Sequence, residues 1–260
     1  MLSLVLLTPA QQCQTSKDAP PAPSIEAGLT FMWTTPVFRN HLIKPDSPHA
    51  DILRVMEAAV LRHYHEFLLD CTAVPGQSPS DAFFDAQRAV FERGGLSFLE
   101  ADDDSRDAFL SLRKAWMSQM REYLNSAVGV DAADQLFEEE SALRLFVWAS
   151  VHEGCSTHAP HLHENSAVSG VFYVSAPPSS GGISFDDPRG MRPPFSRNRV
   201  LHHPQSGELL LFPSWLIHAV APSCGAQSPR VALSFNLFST RDEVDNWEVL
   251  ADSSFLMDSD

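Results

Sequence analysis

From Arg144 to Phe238 the sequence falls into short apolar, β-branched runs parted by Pro, Gly and Ser, a pattern of many short strands that suggests a β-sandwich or barrel with the preceding helices packed outside it. The runs are "LRLFVWASV", Val168–Val174, Ile183–Phe185, Leu209–Phe212 and Val231–Phe238. His161 and His163 sit two apart at the head of "HLHENSAVSGVFYV". Residues i and i+2 of a strand face the same way, so both imidazoles can enter one cavity. His218, in "FPSWLIHAVAP", is expected at the end of a later strand and can close on the same point. Arg230 then heads "RVALSFN". Alternation there puts Arg230, Ala232 and Ser234 on one face and Val231, Leu233 and Phe235 on the other.

Imidazole suits iron, zinc, copper and nickel. Six histidines lie between His152 and His203, so the choice among them has to be argued. His161 and His163 are the pair that shares a face. His158 is read as a neighbour of the centre or a substrate-facing group. His202 and His203 are adjacent, so in extended chain they point apart, and they are placed in a loop. His63 and His65 fall in a helix, two apart and on different faces, and are read as structural or exposed. A buried arginine needs a partner, because an uncompensated buried charge is costly. The planar fork of Arg230 suits a carboxylate; a structural salt bridge is the plainer alternative.

The first half reads differently. Residues 1–28 form a flexible leader, with Pro20, Pro21 and Pro23 favouring extended chain. The apolar start "MLSLVLLTPA" lacks a basic segment, so a disordered tail, an organellar leader and a poorly formed secretory signal all stay open. Residues 29–38 predict a first strand, held to an edge by Pro36. A helix from about Ser47 shows Ile52, Leu53, Met56, Val60, His63 and Phe67 at helical spacing. A second, capped by Ser80 and ended by Gly94-Gly95, carries Phe83, Phe84, Val90 and Phe91. A third runs from about Ser105 to Ala127, with Phe109, Leu112, Trp116, Met120, Tyr123 and Leu124 inward and Gly129 as its stop. A short helix, "DAADQLFEEE", leads to the strands. The chain therefore predicts a leader, then one domain over 29–260: helical support over 29–143, a β core over 144–240 and a C-terminal tail over 241–260.

Hydrophobic residues make up 44% and charged residues 20% of the 260, a composition that builds a core. The formal net charge of −15 argues against nucleic acid and anionic membrane as partners. No segment has the length and apolarity of a membrane span. Cys13, Cys71, Cys155 and Cys224 show no C-x-x-C spacing and are read as scattered free thiols in a reducing compartment.

Several motifs together resemble a family of 2-oxoglutarate- and Fe(II)-dependent oxygenases. They are His161-Leu162-His163, Ser169 to Tyr173, Asp187-Pro188-Arg189, Phe212 to His218, and Arg230 to Asn236. "TTPVF" at 34–38 is similar to the family's opening strand, and Phe172 departs mildly from the tyrosine expected there. The resemblance implies a double-stranded β-helix, the jelly-roll barrel also seen in cupins, flanked by helices. It implies Fe(II) held by His161, His163 and His218, with 2-oxoglutarate and O₂ as co-substrates. It implies that Arg230 meets the far carboxylate of 2-oxoglutarate, with Ser234 and Tyr173 as supporting hydroxyl donors. Most of the wider superfamily has a carboxylate where His163 stands, so Glu164 is the rival second ligand.

The function implied is a dioxygenase, a hydroxylase coupling 2-oxoglutarate decarboxylation to oxidation of a small molecule or protein side chain. The alternatives are a cupin-like module that binds metal or a small acid without turnover, and a three-histidine dioxygenase that uses no keto acid. Neither substrate nor oligomeric state is legible. The loop "DDPRGMRPPFSRNR", with Arg189, Arg192, Arg197 and Arg199, reads as a solvated loop or as a lid for an anionic substrate.

Overall fold

The computed structural model describes residues 34–44, 46–70, 77–137, 143–163, 166–190 and 199–239. The strands and helices in chain order are β1 (Phe38–His41), α1 (Ala50–Asp70), α2 (Pro79–Glu92), α3 (Phe98–Ala101), α4 (Arg106–Val128) and α5 (Val130–Phe137). There follow β2 (Leu143–His152), β3 (His158–His161), β4 (Val168–Ser175), β5 (Ile183–Asp186), β6 (Arg199–His202), β7 (Glu208–Phe212), β8 (His218–Val220) and β9 (Arg230–Ser239).

The strands form two antiparallel sheets, ordered β1-β7-β4-β9-β2 and β3-β8-β5-β6. From β2 onward the chain changes sheet at every connection except the hairpin β5–β6. This is the strand order of a double-stranded β-helix, flanked by helices as predicted. Among the described residues no ladder joins the two sheets.

Each strand of the larger sheet serves two cores, because its side chains alternate. Leu209, Leu211, Val231, Leu233 and Phe235 face α1 and α4, where they meet Met56, Val60, Trp116 and Met120. Val171, Tyr173, Leu210, Phe212 and Ala232 face the smaller sheet and pack with Ile183, Phe185 and Leu216. The six residues predicted to face inward on α4 are all buried, and the helix ends at Gly129 with φ +93°. In α1, Leu53, Met56, Ala59, Val60 and Tyr64 are buried. Among the described residues no helix is long and apolar enough to cross a membrane.

Several expectations change. Among the described residues the first strand begins at Phe38, past Pro36, which has no N–H to give a ladder, and it lies on an edge as predicted; residues 29–33 of the predicted strand lie outside the described residues. The cap of α2 is Ser78, whose Oγ accepts from the Asp81 N–H at 3.2 Å. Ser80, proposed as that cap, instead donates to the carbonyl of Val151 on β2. Ser78-Pro79 is the cap-then-proline signature, so the signal was two residues upstream. His202 closes β6 rather than sitting in a loop. Cys155 and Cys224 form a disulfide, so the free-thiol reading fails for this pair. The leader 1–28, the tail 241–260, Cys13 and Cys71 lie outside the described residues.

Candidate metal and carboxylate site

Three histidines converge at one edge of the space between the sheets. One ring nitrogen of each of His161, His163 and His218 lies within 4.8 Å of the other two. The ring centroids are 4.2 Å apart for His161–His218 and 5.0 Å for each pair that includes His163. The positions come from pairing between strands. His161, the last residue of β3, stands opposite His218, the first residue of β8. His163 lies past the end of β3, and its N–H donates to the carbonyl of Ser214 at 2.9 Å. The pair therefore straddles a strand end rather than sharing a strand, and His218 opens its strand rather than ending it.

Hydrogen bonds fix two tautomers. His161 Nδ1 lies 2.8 Å from the Ala159 carbonyl, and His218 Nδ1 lies 2.9 Å from the Leu216 carbonyl. A carbonyl only accepts, so each Nδ1 carries the proton and each Nε2 keeps its lone pair for a metal. Burial also keeps the imidazoles neutral. It lowers the pKa of His161 to about 2, of His163 to about 3 and of His218 to about 4. His158 adds a fourth ring, with its centroid 4.3 Å from that of His161 and its Nδ1 3.5 Å from Asp81 of α2. Trp148 of β2 lies 5.6 Å from His163, while Phe212 meets His218 edge-on at 4.8 Å. The centre is thus walled by aromatic rings.

Arg230 heads β9 on the face of Ala232, which lies toward the smaller sheet. It is only 2% exposed. Among the described residues, neither its Nε nor its Nη1 has a hydrogen-bond partner. The structural salt bridge weighed for it is therefore not made with them. Two unpaired, buried guanidinium donors are expensive, and the missing partner must be an acceptor. Tyr173 lies beside Arg230; burial raises its phenol pKa, the Glu208 charge raises it further and Arg230 lowers it. Ser234 shares the inner face of β9 four residues on, opposite Trp148 and Val171, roughly 13 Å along the strand from Arg230 at 3.3 Å per residue.

His152, a residue the sequence did not single out, stands opposite Arg230 in the β2–β9 ladder and is buried. Burial, the Arg230 charge and His158 lower its pKa to about 3. At the foot of the same inner face, His202 Nε2 donates to the buried carboxylate of Glu208 at 2.5 Å. Glu164, Arg192 and Arg197 lie outside the described residues. Arg189 and Arg199 each pair with a nearby aspartate, Asp187 at 2.6 Å and Asp186 at 2.7 Å, as a solvated loop would.

Residues 146–236 match the model of the family described as "Putative 2OG-Fe(II) oxygenase". No curated protein matches the chain. Among solved structures, a prolyl-4-hydroxylase of Pseudomonas putida is 18% identical, with a TM-score of 0.45, covering 79% of this chain and 88% of that one. AviO1 of Streptomyces viridochromogenes Tue57 is 11% identical, with a TM-score of 0.47 and coverages of 78% and 89%. The non-heme alpha ketoglutarate dependent epimerase SnoN from nogalamycin biosynthesis is 15% identical, with a TM-score of 0.44 and coverages of 78% and 77%.

Proposed function

We propose that this chain, whose residues 146–236 match the 2OG-Fe(II) oxygenase model, is an Fe(II)- and 2-oxoglutarate-dependent dioxygenase acting as a hydroxylase. The observation that carries this reading is the buried guanidinium of Arg230, whose Nε and Nη1 have no partner among the described residues, on the face that also looks toward the three histidines. A metal-binding module without a keto acid has no use for it.

The residues fit the absent groups. His161, His163 and His218 would hold Fe(II) as neutral ligands, with two Nε2 lone pairs already oriented by carbonyls. The bound iron, with 2-oxoglutarate and O₂, supplies decarboxylation to succinate and hydroxylation of a substrate C–H bond. Three neutral ligands leave the full +2 charge of the ion to be met by a co-substrate dianion. Arg230 would bind the far carboxylate through two adjacent N–H groups of its guanidinium fork. Tyr173 keeps its proton because of burial and so can donate to the same anion. Ser234 would be a hydroxyl donor nearer the metal. Phe185, Phe212 and Trp148 give the centre apolar walls.

The test is succinate formation from 2-oxoglutarate with Fe(II) under air, with and without candidate small-molecule and peptide substrates. Succinate above the metal-free background is expected, rising with the true substrate. Tight metal binding with no succinate under any condition would favour the cupin-like binding module instead. Oxidation of substrate that needs O₂ but no keto acid would favour the three-histidine dioxygenase.

A further inference from the structure

Arg230 is not the only cation-prone group at that end of the sheet. His152 is its register partner, with its side chain on the same inner face and only 4% of the residue exposed. Its one side-chain hydrogen bond among the described residues joins the hydroxyl of Ser156 and Nδ1 at 3.3 Å. Among the described residues Nε2 has no such bond, and none joins His152 to Arg230, although the Arg230 charge acts on the His152 ring. A core histidine kept for packing would have both nitrogens satisfied or would be replaced by an apolar side chain. The buried Nε and Nη1 of Arg230 lack an acceptor among the described residues, and His152 stands beside them in the ladder with its Nε2 not engaged by those residues.

We infer that His152 is a second binding group for the far carboxylate of 2-oxoglutarate, donating from Nε2 beside Arg230. The hydroxyl of Ser156 donates to Nδ1 and so holds the proton on Nε2, directed at the anion. Burial and Arg230 keep the ring neutral, so His152 adds a hydrogen bond without adding a second buried charge. This assignment rests on the oxygenase reading above.

The experiment compares two keto acids. 2-Oxoglutarate and 2-oxopentanoate share the metal-binding end and chain length, but the second lacks the far carboxylate. Each is titrated calorimetrically into wild type, His152→Leu and His152→Gln, with Mn(II) in place of Fe(II) and no O₂. His152→Leu should weaken 2-oxoglutarate about tenfold to hundredfold, the range for one hydrogen bond to a charged group. Its affinity for 2-oxopentanoate should match that of wild type. The Gln amide reaches the position of Nε2 and should restore most of the loss. If His152→Leu fails to fold, Gln against Asn decides, since the shorter Asn amide reaches only the position of Nδ1. Unchanged 2-oxoglutarate affinity, or an equal loss for both acids, overturns the role of His152 while leaving the oxygenase reading in place. A wild type that does not prefer 2-oxoglutarate over 2-oxopentanoate overturns both.

Discussion

At the scale of single residues, Arg230 and the three histidines make separable demands. Arg230→Ala should weaken 2-oxoglutarate binding by about 2–5 kcal/mol, the cost of truncating one partner of a buried charged pair, while metal content stays at wild-type level. Equal 2-oxoglutarate affinity in a calorimetric titration would remove Arg230 from the site. His163→Ala should lose stoichiometric Fe(II), and Glu164→Ala should keep it; metal analysis giving the reverse would return the centre to two histidines and a carboxylate. The sign of the pH dependence follows from burial. His152, His161, His163 and His218 have folded pKa values of about 3, 2, 3 and 4, below the value near 6.5 of an unfolded histidine. The unfolded chain therefore binds more protons below pH 6.5. The stability these groups lend is present above pH 6.5 and drains away as pH falls through the folded values. The Tm of the metal-free protein should drop steadily from pH 7 to pH 4, and a flat profile would contradict the burial of these rings. The triad and Arg230 were legible because their spacing and alternation are local. His152 was not, because its importance comes from standing opposite Arg230, a register between β2 and β9 that no local pattern encodes.

At the scale of elements, stacked rings are part of the contact between helices and sheet. Trp116 of α4 lies on Phe235 of β9, with centroids 4.9 Å apart and planes 19° from parallel. The Phe235 ring has room because it crosses β4 at Gly170. A Cβ there would stand inside the contact distance of that ring and of Leu211. Gly170→Ala should cost about 1–3 kcal/mol as overpacking, and Trp116→Ala about 3–5 kcal/mol as a core cavity. Denaturant titration of the two variants checks both, and a neutral Gly170→Ala would mean that Phe235 has another place to go. The long helices were legible from their stripes; α4 matches its predicted inward face residue for residue. The four-residue α3 was not, since one turn is too short to show a period. The H-x-H pair misled in one respect. Its spacing suggests a strand, yet a backbone bond to Ser214 does the work at His163 that a ladder was expected to do.

At the scale of the whole molecule, the double-stranded β-helix was readable from the change of period at Arg144, but the closure between loops was not. Cys155 and Cys224 are 69 residues apart, and only the crossing of strands between sheets brings the β2–β3 and β8–β9 connections together. Ser223 donates to the carbonyl of Gly154 at 2.9 Å at the same junction. Cys155→Ser should lower stability by about 2–4 kcal/mol, read from denaturant midpoints without reductant. A variant as stable as wild type would show that the junction holds without its covalent link.

The bridge also divides the chain into a covalent ring and two arms. All three metal-seeking histidines lie on the ring between Cys155 and Cys224, while His152 and Arg230 lie on the arms just outside it. A single cut anywhere in the ring leaves one connected molecule, with every histidine still attached to the rest. Arg230 has no such protection: a cut between Cys224 and Arg230 frees the arm that bears it. Nicked protein should therefore sort on a non-reducing gel by where the cut falls, with mass unchanged for a cut in the ring and reduced for a cut in either arm.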